Sequence, residues 1–170
     1  MPPAVLGKSH MSYKPTARGL YFEEFAPGFK IVSGGRTITE ADVVGFAGLS
    51  GDYNQIHMDA EFAASGPFGQ RVAHGMLGFS IASGLAVQTG FVEGTVLAFR
   101  EIQSWKFSQP ILLGDTVHVR LEVLEIKALP RLSGGAVTLG VEVVNQRAVT
   151  VQHGRWVMLV QSRPAGAAVA

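Results

Sequence analysis

Between Gly51 and His57 the chain reads Gly-Asp-Tyr-Asn-Gln-Ile-His, so a carboxylate (Asp52), an amide (Asn54) and an imidazole (His57) share one short polar segment. On an extended strand Asp52 and His57, an odd number of positions apart, would face opposite ways; in a turn they can converge. A converging carboxylate and imidazole can hold one water and deprotonate it as it attacks, an effect on the order of 10²- to 10⁴-fold. The same residue types also fit plain roles, with Asp52 capping a turn, Asn54 satisfying a loop and His57 on the surface. Metal binding by Asp52, His57 and His74 is a third reading, weakened because the sequence offers them neither a second carboxylate nor a helical histidine pair.

A second opening for chemistry is Gly75, at the head of the stretch Ala73 to Gln88. The first backbone N–H groups of a helix lack intrahelical partners and sit at the positive end of its dipole. A carbonyl oxygen gaining negative charge is stabilised there, one such donor being worth roughly 3 to 4 kcal/mol. Glycine lets a ligand come close; alternatively, Gly75 relieves crowding where loop meets helix. His74 fits a structural histidine at that helix end. Ser83 fits either a hydroxyl bonded back to a helix carbonyl or a ligand contact.

Stepping outward, the elements around these residues follow from pattern. After His74 the stretch to Gln88 carries only Ser80 and Ser83 among its apolar residues, which reads as a core helix wrapped by other elements, roughly 22 Å long and too short to span a bilayer. Gly75, Gly78 and Gly84 cost helix propensity, which points to close approach by neighbours. Upstream, Lys30 to Ile38 reads as a short bulged strand. Thr39 with Asp42 three positions on starts a helix over about Glu40 to Gly48, and Asp59 can cap another through Ala64. Downstream the period becomes two: Val117, Val119, Leu121 and Val123 alternate with polar residues, as do Val137, Leu139, Val141 and Val143 with smaller or polar ones. Thr95 to Phe107, bent near Glu101 to Gln103, and Ala148 to Gln161, with a bulge at Gly154, supply further strands.

The prediction is an α+β domain of about five antiparallel strands around one buried helix. Residues 20–161 form the domain, 1–19 an extended arm and 162–170 a flexible tail. A sheet of this size leaves an edge that invites a second copy, so a homodimer is expected. A formal net charge of +1 with scattered Lys and Arg shows no nucleic-acid stripe and no membrane-attracting patch. The absence of cysteine removes disulfides and thiol chemistry, and with no export signal read at the N-terminus the expected compartment is the cytoplasm.

Asp52-Tyr53-Asn54-Gln55-Ile56-His57, followed by Ala73-His74-Gly75-Met76-Leu77 and by Phe107-Ser108-Gln109-Pro110-Ile111 with Gly114-Asp115-Thr116, resembles the MaoC-like dehydratases, which include the (R)-specific enoyl-CoA hydratases. The resemblance runs from about Tyr21 to Val160 and implies the hot-dog fold, a long helix wrapped by a curved antiparallel sheet. It also implies reversible hydration of a trans-2-enoyl-CoA to an (R)-3-hydroxyacyl-CoA. Catalytic roles then fall on Asp52 and His57, which hold the attacking water, and on the Gly75 N–H, which receives the thioester oxygen. Asn54 matches the motif asparagine and Ser83 a serine near the site in some members, and Met76, with Phe68, Leu77 and Phe79, could line an acyl channel. No metal or other cofactor is implied, the substrate itself carrying coenzyme A. Arg71, Arg100 and Lys106 are candidates for its phosphates. Gln55 departs from the family, which usually has proline there; a proline would stiffen the turn. Two rivals stay open: a hot-dog acyl-CoA thioesterase, and a non-catalytic acyl-CoA-binding protein.

Overall fold

The computed structural model describes residues 19–165. In chain order the elements are β1 (Lys30–Val32), β2 (Arg36–Thr37), α1 (Glu40–Ser50), α2 (Gln55–Met58), α3 (Ala60–Ala64), α4 (Gly75–Gln88), β3 (Val96–Phe107), β4 (Thr116–Leu129), β5 (Gly134–Asn145) and β6 (Thr150–Gln161). The strands form one antiparallel sheet in the order β1-β4-β5-β6-β3, with β2 also paired to β4.

Alternation builds the inner face. Val119, Leu121 and Val123 of β4 stand opposite Val143, Val141 and Leu139 of β5, and all six are buried. They join Leu77, Ile81, Ala82, Leu85 and Ala86 of α4 in one apolar core with Trp156 and Phe91. Each such large aliphatic side chain, fully buried, contributes roughly 1.5 to 3 kcal/mol.

Several expectations are corrected. Lys30 to Ile38 is two strands, because Ser33 leaves the ladder while its backbone N–H and hydroxyl exchange bonds with the backbone of Val119. The sheet therefore has six strands. The helix after Thr39 runs on to Ser50. Gly154 marks no bulge: it pairs regularly with Trp105 and Val141, and is small because a Cβ there would lie 2.1 Å from the Ser104 carbonyl oxygen. The irregularity of β6 sits at Val151 instead. Nor do the described residues wrap α4 completely: among them Met76, Ser80, Gly84 and Val87, spaced along one face, are exposed. Gly75 and Gly78 do meet close neighbours, whereas among the described residues nothing comes within 4 Å of a Cβ on Gly84.

The arm expected over residues 1–19 lies outside the described residues except for Gly19. Of the tail, Ser162 donates its N–H to the Ser133 carbonyl and Arg163 its N–H to Glu23, so these two residues are tied to the fold.

Candidate active site

The polar segment is built by a chain of caps. Thr39 and Asp42 cap α1 reciprocally, the Thr39 hydroxyl accepting the Asp42 N–H and the Asp42 carboxylate accepting the Thr39 N–H. At the other end of α1 Gly51 adopts a left-handed conformation (φ 78°), which swings Asp52 away from the helix axis. Asp52 Oδ1 accepts the Asn54 N–H at 3.2 Å, and Asn54 Oδ1 accepts the Ile56 N–H at 3.1 Å. Asn54 thereby caps α2, so His57 is presented from a four-residue helix where a loop or turn was expected.

Two lines of bonds hold α2 beside the start of α4. Val72 donates its N–H to Ile56 and accepts at its carbonyl from His57 Nδ1 at 2.8 Å, while Ala73 donates to the Ile111 carbonyl. Because a carbonyl only accepts, His57 carries a proton on Nδ1, and in that tautomer the lone pair lies on Nε2. That Nε2 faces Asp52 Oδ2 at 3.9 Å. The gap exceeds a direct hydrogen bond and suits one water bonded to both. The His57 side chain is only 9% exposed and that of Asp52 52%, so the pair spans the boundary between interior and solvent. His74 steadies both: its Nε2–H donates to the Asp52 carbonyl at 2.9 Å, and its ring lies against that of His57 with centroids 3.8 Å apart.

Asp52, His57, Gly75 and Met76 all line one cavity of about 830 Å³, walled also by Phe68 and Phe107. Gly75 is the first residue of α4, so its N–H has no acceptor within the helix. A Cβ on it would lie 2.8 Å from the Phe107 ring, which is why glycine stands there.

Other sequence candidates lie elsewhere. Asn54 acts through its cap and does not line the cavity. Ser83 is not brought to the cavity; its hydroxyl donates to the Ser80 carbonyl at 2.8 Å. Leu77 is core, and Phe79 packs edge-on against Trp105 and Trp156. Arg71 is bonded to Glu40, whose carboxyl it holds below the usual range, and neither it, Arg100 nor Lys106 lines the cavity. The sequence reading missed Ser50 and Gln152, which do.

Asp52, His57 and His74 each bring one donor atom within 4.8 Å of the others. The two imidazoles, 3.8 Å apart and tilted by 31°, are each bonded to a backbone carbonyl, His57 through Nδ1 to Val72 and His74 through Nε2 to Asp52.

Residues 24–145 match the family model described as the MaoC like domain. The chain belongs to this MaoC-like family. It is 46% identical over 101 residues to Protein MaoC of Klebsiella aerogenes, a match covering 59% of this chain and 30% of that protein. The MaoC-like chain thus spans less than a third of that relative. It is 38% identical over 112 residues to the 3-hydroxybutyryl-CoA dehydratase of Methylorubrum extorquens, covering 66% of this chain and 69% of the other. Among solved structures, the unliganded R-hydratase PhaJ1 of Pseudomonas aeruginosa superposes with a TM-score of 0.71 at 31% identity, covering 89% of this chain and 94% of that one. The MaoC-like chain therefore has the hot-dog fold, and its relatives include proteins named as hydratases and dehydratases. Gln55, where the family pattern has proline, is the first residue of α2, and Asn54 before it is already extended (φ −56°, ψ 139°). That is the geometry proline imposes on its neighbour, so the Asn54 cap supplies the stiffness the ring would have given.

Proposed function

We propose that this chain catalyses reversible addition of water to a trans-2-enoyl-CoA, giving an (R)-3-hydroxyacyl-CoA. The observation that carries the reading is the 3.9 Å gap between Asp52 Oδ2 and His57 Nε2 on the wall of a cavity that also holds the Gly75 N–H. Both facing atoms are acceptors, so a water between them gives each a hydrogen and keeps its lone pairs for C3. Asp52 removes a proton as the oxygen bonds to C3. The C2=C3 electron pair moves toward the thioester carbonyl, whose oxygen gains negative charge against the Gly75 N–H. The enolate then takes the proton back at C2, so water is added with no net proton lost. His57 orients the water and shares this proton traffic. The reaction draws on no cofactor beyond the coenzyme A of the substrate. The (R) outcome is supported by the relatives named for it.

A homodimer is part of this reading. β3 is twelve residues long and ends the sheet, yet Val96, Leu97, Phe99, Ile102 and Phe107 along it are exposed. A long apolar edge with free backbone groups pairs readily with a second copy. No helix among the described residues is long and apolar enough to cross a membrane.

Incubation with crotonyl-CoA tests the reaction. Loss of enoyl absorbance with formation of the (R)-alcohol, resolved by chiral chromatography, is expected. Release of free CoA thiol without loss of the double bond would replace hydration by thioester hydrolysis, and binding with neither reaction would leave an acyl-CoA-binding protein.

A further inference from the structure

Gln152 is a polar side chain in the interior, 2% exposed, that lines the cavity without taking part in the proposed reaction. A bulge puts it there. Val143 pairs with Gln152 and Val144 with Thr150, so Val151 is an extra residue in β6. Val151 and Gln152 are consequently both buried, where regular alternation would turn one outward. From that position Gln152 Nε2 donates to the Gly75 carbonyl at 3.0 Å, and Oε1 accepts from Trp105 Nε1 at 3.2 Å. An indole N–H only donates and a backbone carbonyl only accepts, so this is the one amide orientation that satisfies both.

The surroundings are shaped to it. A Cβ on residue 78 would lie 2.4 Å from Gln152 Nε2, so glycine there admits the amide. Trp105 is itself held by stacking on Trp156 (centroids 5.5 Å, interplanar angle 19°) and by the edge of Phe79. A continuous line of contacts therefore runs from the sheet through Trp105 and Gln152 to the carbonyl of the residue whose N–H points the other way, into the unpaired end of α4. An apolar side chain would fill the same space without the desolvation cost of a buried amide.

We infer that Gln152 is a positioning residue that fixes the first turn of α4 so that the Gly75 N–H is held in register with the developing thioester oxygen. The inference rests on the reading of Gly75 as that donor.

Crotonyl-CoA hydration by the full chain tests it, with Gln152→Leu, Gln152→Met, Trp105→Phe and the Trp105→Phe/Gln152→Leu double variant. Misaiming a donor used in the transition state should lower kcat of the two Gln152 variants by roughly 10- to 100-fold and leave KM within about twofold. Trp105→Phe keeps the ring and loses the N–H; it should lower kcat less, and have no further effect once Gln152 is leucine, because the link is already cut. Wild-type kcat in folded Gln152→Leu or Gln152→Met enzyme would overturn the inference, as would losses from the two sites that simply multiply. Should one Gln152 variant fail to fold, the other and Trp105→Phe still decide. A wild-type enzyme inert toward crotonyl-CoA would remove the underlying reaction, and the inference with it.

Discussion

Gly75 and Phe107 are in contact so close that no side chain fits between them: a Cβ on residue 75 would stand 2.8 Å from the Phe107 ring. The ring is 54% exposed and can be displaced, so substitution here alters the cavity wall without unfolding the core. Gly75→Ala keeps the N–H and measures the steric part alone. Gly75→Pro places the same Cβ, closes a ring back onto the nitrogen and deletes the N–H, at a first helical position where proline is well tolerated and after a residue, His74, that is already extended (φ −58°, ψ 137°). If that N–H stabilises the thioester oxygen, kcat of the proline variant falls roughly 10²-fold further than that of the alanine variant. Equal kcat values in steady-state hydration assays would remove Gly75 from the mechanism.

Gln55→Pro restores the residue usual in the family. Asn54 before it is already extended and Gln55 opens α2, a position where proline is well tolerated, so turnover should be unchanged and stability should rise by about 0.4 to 1 kcal/mol through the unfolded chain. Thermal denaturation and a crotonyl-CoA assay on the same sample check both. A fall in activity would mean that the Gln55 side chain has a use of its own.

The cap of α1 carries a pH dependence. Burial raises the pKa of Asp42, but bonds from the Thr39 N–H and hydroxyl and from the Arg36 guanidinium outweigh it and leave the carboxyl below its ordinary value of 3.8. A depressed carboxyl stabilises the fold fully above 3.8, and that share is lost as the pH falls through the lower native value. Melting temperatures should therefore drop more steeply below that pH in the wild type than in Asp42→Asn. Thr39→Ala, which removes the hydroxyl cap, should cost about 1 kcal/mol at neutral pH.

The exposed edge strand predicts assembly. The wild type should elute at about twice its 18.1 kDa. Ile102→Lys, which puts a charge on β3, should shift it toward monomer. Light scattering that gives a monomer for the wild type would contradict the dimer.

What the sequence made legible and what it hid have a common cause. β4 and β5 could be read because Val117 to Val123 and Val137 to Val143 alternate apolar residues with polar or small ones, and the starts of α1 and α3 because Thr39 and Asp59 are caps whose bonds are local. The segment holding His57 was read as a turn because α2, four residues long, is too short for periodicity to show. Sequence points to Gly154 where the structure has the bulge at Val151, because a bulge is decided by pairing with neighbouring strands, not by the flexibility of one residue. Gln152 escaped notice for the same reason: a polar residue in a strand reads as outward-facing until a bulge turns it in. The open face of α4 was also invisible, since apolarity does not say whether the cover comes from the same chain. Asp52, His57 and Gly75 were found from residue type and spacing, sharpened by family resemblance, and the fold brings all three to one cavity.

The most direct test is the rate of crotonyl-CoA hydration by the wild type, Asp52→Asn and His57→Ala at equal folded concentration. Catalysis by a water held between the two side chains predicts measurable turnover in the wild type and a loss on the order of 10²-fold or more in each variant. Wild-type turnover in both variants would contradict it.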